Sequence, residues 1–469
     1  MNKRSRIQRV LLPVLAGALT LSAASGIAGS RDSAAAQEAP DDRPNFIVIV
    51  TDDQRADTMW AMPRVRRKIA HRGIRFRQGY VSNSLCCPSR ASILTGRYSH
   101  STGVYTNSPP HGGFAAFEDD STIATWLDEA GYRTALVGKY FNGYADAEYI
   151  PPGWNVWNAF TGKRGNGGAF YHYALSVNGE RRTFRSKPRD YSTDVLAKKA
   201  LRFIETSDNP FFLYFAPYAP HGMQAAPRHQ GMFEGLQIEH SPSYNEKNVS
   251  DKPRWVRKLD FVSDTGRWAR VLETLLAVDE AAGRMVRTLR EQGELDNTFI
   301  AFLSDHGRGR GEHRWLEKSD PYRGSTQIPY IVRYDRLIQN PRKDGHLLLN
   351  LDIAPTIARL AGVPSPGAEG ASFVPLLQSP EASWRGDFLL EHLEDKRGVP
   401  SYCGVRTENH LYVAYDTDEE ELYDLNKDPY ELKNVAEDDA YRPHLDYLRR
   451  RVRELCSPPP PGYTFSSLP

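Results

Sequence analysis

Cysteine is scarce in this chain: four residues in 469, with Cys86 and Cys87 adjacent and Cys403 and Cys456 near the C-terminus. No Cys-x-x-Cys pair occurs, which excludes a zinc ribbon or a dithiol redox motif. The two distant cysteines remain a candidate disulfide, Cys403 to Cys456, in an oxidising compartment. An excess of one charge is also lacking, since 60 Lys and Arg face 58 Asp and Glu for a formal net charge of +2. Nucleic-acid binders carry a basic footprint, so no nucleic-acid partner is expected. Only residues 10–29 form a long apolar run; it follows Lys3, Arg4, Arg6 and Arg9 and precedes small residues at 34–36. That is the pattern of a secretory signal peptide, residues 1–36, with 37–43 as a linker. Its removal takes away five basic groups and one acid, and the formal charge falls from +2 to −2. The mature chain is expected to be secreted or extracytoplasmic, without stable membrane association. Any anionic substrate must then be captured by a local cluster of cations.

What is present is an alternation of strand and helix. Residues 45–50, 211–215 and 298–303 are continuous apolar runs, the mark of strands buried on both faces of an α/β sheet. The first ends in Asp52-Asp53, the last in Ser304-Asp305-His306-Gly307. Helical patterns cover 121–130, 191–206 and 274–292. The spacing predicts a central mixed β-sheet flanked by helices in a domain spanning 44–377. After Leu377 the texture changes to short alternating runs and one last helix from about Tyr441 to Leu455. This predicts a small antiparallel sheet plus helix, 378–458, followed by a Pro-rich tail, 459–469. Residues 223–268 are polar and aromatic without periodicity, and read as a substrate-facing or plain surface insertion.

Chemistry is concentrated in Leu85-Cys86-Cys87-Pro88-Ser89-Arg90 and the following Leu94-Thr95-Gly96-Arg97. A cysteine at a helix start feels the positive end of the backbone dipole. The order Cys-x-Pro-Ser-Arg then Leu-Thr-Gly-Arg resembles the defining motif of type I sulfatases. In that family the cysteine is oxidised after translation to formylglycine by a formylglycine-generating enzyme, and the hydrated aldehyde is the nucleophile. The resemblance also implies an alkaline-phosphatase-like fold.

Asp52-Asp53 and Asp305-His306 lie just past strands, where carboxylates either hold a hard divalent cation or serve as turn residues. The resemblance implies the first: Asp52, Asp53, Asp305, His306 and residue 86 as ligands to one cation, calcium by likeness to the family, with magnesium or manganese as alternatives. An imidazole at 306 is a departure from the Asp-Asn-Gly of many sulfatases, and it offers a softer nitrogen ligand. Arg90, Lys139, His221 and Lys318 each match a sulfatase motif and would surround the sulfate group. The implied reaction is attack of one formylglycine hydroxyl on sulfur while His221 or Lys318 protonates the departing alcohol oxygen. The second hydroxyl then loses a proton and sulfate leaves.

In many sulfatases a histidine two places after the Lys139 equivalent drives that elimination. Here the position is Phe141, and Asn142 cannot act as a base. His100 is the candidate replacement. Lys139-Tyr140-Phe141-Asn142-Gly143-Tyr144 and Tyr149-Ile150-Pro151-Pro152-Gly153-Trp154 look like the N-acetylglucosamine-6-sulfatases and extracellular heparan endosulfatases. The substrate this implies is the 6-O-sulfate of N-acetylglucosamine or a related sulfated glycan, with His100, Asn142, Tyr244 and Trp255 as candidate substrate contacts. A broad arylsulfatase, a phosphonate or phosphate ester hydrolase of the same superfamily, and a glycan-binding protein with a dead site are the alternatives.

Overall fold

The computed structural model describes residues 42–162, 168–207, 210–237, 239–263 and 267–465. The signal-peptide reading of 1–36 lies outside them, as do most of the linker and the end of the tail.

Strand β1 (Asn45–Thr51) is buried at every position, so both its faces must be covered. It lies inside a ten-stranded sheet whose other members are β2 (Ile74–Tyr80), β3 (Arg133–Gly138), β4 (Val156–Thr161), β5 (Tyr173–Val177), β6 (Glu180–Phe184), β7 (Phe211–Ala216), β8 (Thr298–Ser304), β9 (Tyr330–Arg333) and β10 (Arg342–Leu349). The spatial order is β10-β2-β9-β8-β1-β7-β3-β4-β5-β6. β1 pairs in parallel with β7 and β8, and β3 in parallel with β7 and β4. The pairs β2 with β9, β8 with β9, β4 with β5 and β5 with β6 are antiparallel, which makes the sheet mixed.

Alternate residues of β1 feed two cores. Phe46, Val48 and Val50 pack with helices α2 (Cys86–Thr95), α3 (Ile123–Glu129) and α6 (Ile353–Ala361). Ile47 and Ile49 pack with α1 (Pro63–Lys68), α4 (Ser192–Glu205) and α5 (Arg267–Glu291). Helix α5 begins seven residues before the expected Thr274, because Trp268, Val271 and Leu272 extend its buried face. Strand β9 starts at Tyr330, directly after Pro329. Proline has no N–H to give to a ladder. Residues 223–268 hold a 3-10 turn and a four-residue helix, Arg254–Arg257, before α5 begins.

Strands β11 (Asp387–His392), β12 (Tyr402–Thr407), β13 (His410–Tyr415) and β14 (Glu420–Asp424) form an antiparallel meander. Helix α7 (Arg442–Leu455) packs Leu445, Leu448 and Val452 against it. Cys403 and Cys456 are joined as a disulfide. The other face of the meander shares a core with Tyr80, Leu347, Leu349 and Tyr322 of the large sheet and its loops.

Candidate active site

Four neighbouring strands, β8-β1-β7-β3, run parallel and end at one edge of the sheet. Ligands gather at the carboxyl ends of strands in such sheets. Here the ends deliver Asp305-His306, Asp52-Asp53, His221 and Lys139. Gly138, at φ +131°, turns the end of β3 where a Cβ would collide with the Ala216 carbonyl, and so brings Lys139 inward.

Helix α2 brings Cys86 to the same place, at its first position after an extended Leu85. Ligand atoms of Asp52, Asp53, Cys86 and His306 lie within 4.8 Å of one another, and all four residues are buried. Cys86 Sγ is 3.3 Å from His306 Nε2, 3.3 Å from Lys318 Nζ and 3.8 Å from Asp52 Oδ1. His306 Nδ1 faces the Gly307 carbonyl at 2.7 Å, so this nitrogen carries a proton and turns Nε2 toward the cluster. Burial lowers the ring's pKa but Asp305 overcomes it and raises it, and a cation at Nε2 would displace the second proton. Two carboxylates and an imidazole lone pair around a thiol suit a divalent cation.

Asp305 stands one step back. Its Oδ1 accepts from the backbone N–H groups of Asp53 and His306 at 3.0 and 2.9 Å, and its Oδ2 accepts from Arg90 Nε and Nη2 at 3.0 and 2.8 Å. The buried guanidinium of Arg90 also donates to the Lys139 carbonyl at 3.0 Å. Arg90 therefore braces the strand ends, whereas the expectation was a group facing the substrate. Burial favours the neutral form of Asp305, but His306, Arg90 and Lys139 outweigh it and hold its pKa well down. Lys139 Nζ donates to Asp52 Oδ2 at 2.6 Å and Lys318 Nζ to Asp53 Oδ1 at 2.7 Å. These ion pairs overcome burial and raise both ammonium pKa values.

The same field separates the adjacent thiols. Burial would raise Cys86, yet Lys139 and Lys318 bring it down to about 7. Cys87 is pushed up to about 12 by burial, with the Cys86 charge adding to it.

His221 follows Pro220 at the rim, with Nε2 3.7 Å from Asp53 Oδ2. Burial lowers its pKa to about 4 despite the pull of Asp53, so the ring is neutral in the free protein. Arg308 was missed from the sequence: its Nη1 donates to Asp53 Oδ2 at 3.1 Å, and it lines a cavity of about 60 Å³ with Asp53, His221, Met223 and Trp268. The signal was Gly307-Arg308-Gly309-Arg310 directly after the strand-end pair. Arg55 lines both this cavity and a larger one of about 440 Å³.

Of the four expected substrate contacts, His100, Trp255 and Tyr244 have side chains engaged with other residues. His100 Nδ1 lies 3.0 Å from Glu391 and Nε2 3.4 Å from Glu369; these carboxylates overcome burial and raise its pKa to about 9, which leaves no free base at neutral pH. Trp255 is 8% exposed and packs on Trp315 and Tyr322, so it anchors the insertion to the C-terminal core. Tyr244 stacks on His240 with ring centroids 3.6 Å apart. Asn142 gives its backbone N–H to Cys87 Sγ at 3.3 Å, and its side-chain Oδ1 is buried without a hydrogen-bond partner.

Residues 44–363 match the family model for sulfatases, and 311–457 match that for the C-terminal part of N-sulphoglucosamine sulphohydrolase. The chain belongs to the sulfatase family. Its mixed sheet has the alkaline-phosphatase-like fold of that family. It is 30% identical to human N-acetylglucosamine-6-sulfatase over 495 aligned positions, 90% of this chain and 88% of the human one. It is 34% identical to a Drosophila melanogaster extracellular sulfatase SULF-1 homolog over 77% of this chain, and spans about a third, 34%, of that relative's length. A solved structure of a protein in complex with its substrate, D-glucosamine-2-N,6-O-disulfate, superposes with a TM-score of 0.79 at 27% identity, covering 88% of this sulfatase and 97% of that chain. Among the described residues no helix is long and apolar enough to cross a membrane.

Proposed function

We propose that this sulfatase hydrolyses a sulfate ester, the 6-O-sulfate of N-acetylglucosamine or of a related sulfated glycan, outside the cytoplasm. The observation that carries the reaction class is the convergence of Asp52, Asp53, Cys86 and His306 with Lys318 against Cys86. The substrate reading is supported by the names of the human relative and of the bound sugar in the solved structure.

The donor set fits one divalent cation held by Asp52, Asp53, residue 86 and His306, with Asp305 beside them. When present, the cation supplies Lewis acidity, and formylglycine at position 86 supplies an oxygen nucleophile. The protein's own groups do the rest. Arg90, Lys139 and Lys318 balance Asp305, Asp52 and Asp53 one for one, and Arg308 beside Asp53 is met by Glu317, so a bound dication leaves a surplus of two positive charges. That surplus suits the sulfate ester as it binds and the sulfate dianion that leaves at the end of the reaction, after the alcohol has departed. Lys318 Nζ lies 3.3 Å from Cys86 Sγ, the atom that holds the place of the formylglycine oxygen, and is the donor for the departing alcohol oxygen. His221, neutral in the free protein, takes up a proton as the anion arrives and is a second donor at the rim. The narrow cavity beside Asp53 admits the sulfate group, and the adjoining 440 Å³ space has the volume of a ligand pocket for the sugar.

The test compares N-acetylglucosamine-6-sulfate, a chromogenic sulfate ester and the matching phosphate ester. Turnover of the first two with little of the third is expected. Preference for the phosphate ester overturns the reaction class, and no turnover of any 6-sulfated glucosamine overturns the substrate. Asp52→Ala must also lose bound metal by elemental analysis, together with several orders of magnitude in rate, roughly what removal of a Lewis acid costs.

A further inference from the structure

Helices α1 and α5 cross where α5 carries Gly283. A Cβ at Gly283 would lie 2.8 Å from Arg64 Cδ, and Lys68 Nζ donates to the Gly283 carbonyl at 2.9 Å. The crossing lays the basic sequence Pro63-Arg64-Val65-Arg66-Arg67-Lys68 beside the last turns of α5, which carry Arg284, Arg287 and Arg290. A cavity of about 410 Å³ opens there, with Arg189 and Lys198 on its other side.

The acids of this groove are already engaged. Arg228 holds Asp194 at 2.7 Å and Glu280 at 2.7 Å, and Arg64 holds Asp279 at 3.3 Å. Among the described residues no carboxylate lies within ion-pair distance of Arg189, Lys198, Arg284 or Arg287. Arg284 Nε is moreover buried with no hydrogen-bond partner. The crowding of like charge is felt by Lys68: burial, and then Arg287, Arg290, Arg64 and Arg67, lower its pKa. Four uncompensated cations around one groove, on a chain with near-zero net charge, are a local site for an anion of several charges.

We propose that this groove is a docking site for a polysulfated glycan chain, bound through its sulfate and carboxylate groups by Arg189, Lys198, Arg284 and Arg287. The choice of a glycan over a nucleic acid rests on the sulfatase reading above; the charge pattern itself is independent of it. Trp268, at the start of α5, borders the catalytic cavity. Arg284 is sixteen residues further along the helix, roughly 24 Å at 1.5 Å per residue. The enzyme thus holds a polymer well away from the bond it cleaves, and a monosaccharide cannot reach both places.

The test is fluorescence anisotropy of a labelled heparin hexasaccharide with the full-length secreted protein, beside a DNA oligonucleotide of equal charge and a desulfated heparin hexasaccharide. The expected result is binding of the sulfated sugar that weakens steeply with salt, exceeds binding of both controls, and falls at least tenfold in Lys198→Glu/Arg284→Glu/Arg287→Glu. Arg287→Ala alone, a milder change at an exposed side chain, should lose about threefold. Both variants should keep the kcat/KM of the wild type on a chromogenic monoester within twofold, which shows that they are folded. Unchanged binding in the triple variant, or equal binding of the DNA or of the desulfated sugar, overturns the proposal. Lack of turnover by wild type and variants alike would count against the sulfatase reading only, and the binding comparison would still decide the docking site, with thermal midpoints then reporting folding.

Discussion

Cys86 and Cys87 are chemically alike and one residue apart, and their surroundings make them different groups. Cys86 faces Lys318, His306 and Asp52, whereas Cys87 points into the apolar core behind α2 and accepts a backbone N–H from Asn142. Only the first is placed to reach a bound ester. The expected outcome is that the peptide containing both cysteines, from protein made with its maturation machinery, carries one formyl group in place of one thiol methylene, at position 86. Cys86→Ala should leave the melting temperature within a degree or two and abolish turnover, while Cys87→Ala should unfold at lower temperature with residual activity. Full activity in protein that retains both thiols would remove the proposed nucleophile. At this scale the sequence was informative wherever a polar pair ended an apolar strand, as at Asp52-Asp53 and Asp305-His306. It was uninformative for Arg308, because an arginine between glycines reads as a solvated loop until the fold shows Asp53 beside it. His100 and Trp255 show the converse: residue type suggested a base and a stacking ring, and only tertiary partners reveal a histidine held by two carboxylates and a tryptophan used as core.

At the scale of elements, single residues decide how a strand end or a loop presents its side chain. Gly138 has φ +131°, and a Cβ there would lie 2.0 Å from the Ala216 carbonyl of the neighbouring strand. Gly138→Ala should therefore part β3 from β7, cost about 3 kcal/mol or more of stability as overpacking plus backbone strain, and lower activity by displacing Lys139 from Asp52. A denaturation midpoint like that of wild type would contradict this. The loop carrying Lys318 depends on Asp320, whose buried carboxyl accepts from Ser325 Oγ and the Tyr322 N–H. Burial pushes its pKa up to about 7, against those hydrogen bonds. The folded state thus binds a proton that the unfolded chain, at 3.8, releases. The contribution of this group to stability is complete below the unfolded value and is lost as pH rises toward about 7. Wild type should then have a higher urea midpoint at pH 5 than at pH 8, and Asp320→Asn should flatten the difference. Asp53 and Asp305, whose pKa values are lowered, act in a separate window and are lost only as pH falls below the ordinary carboxylate range. Element positions were largely readable: β1, β7 and β8 fall on the apolar runs, and the last helix on its pattern. The early start of α5 was not, because its first turns emerge from a polar aromatic segment whose periodicity is masked by Arg267 and Arg270.

Over the whole molecule, the small C-terminal sheet serves as the back wall of the active site. Tyr402 of β12 gives its hydroxyl to the Ser319 carbonyl at 3.2 Å, next to Lys318. Glu421 of β14 accepts from Tyr322, Tyr415 and Tyr423, so one buried carboxylate ties the Lys318 loop to two strands of the meander. Glu391 of β11 accepts from the Ser99 N–H at 2.6 Å just after α2, the helix that carries Cys86. This dependence could not be read from the sequence, since it rests on contacts between residues some 80 to 300 positions apart. The disulfide Cys403–Cys456 fastens α7 to the outer face of that sheet across a separation of 53 residues. Closing a loop of that size stabilises a fold by roughly 4 kcal/mol in the chain-entropy account. Cys403→Ala/Cys456→Ala should therefore lower the free energy of unfolding by that order, read as a lower denaturation midpoint. If the sheet is the wall that holds Lys318, activity at a temperature just below the new midpoint should fall before the secondary structure of the large sheet melts. Activity that persists until global unfolding would show that the catalytic edge stands without its C-terminal support.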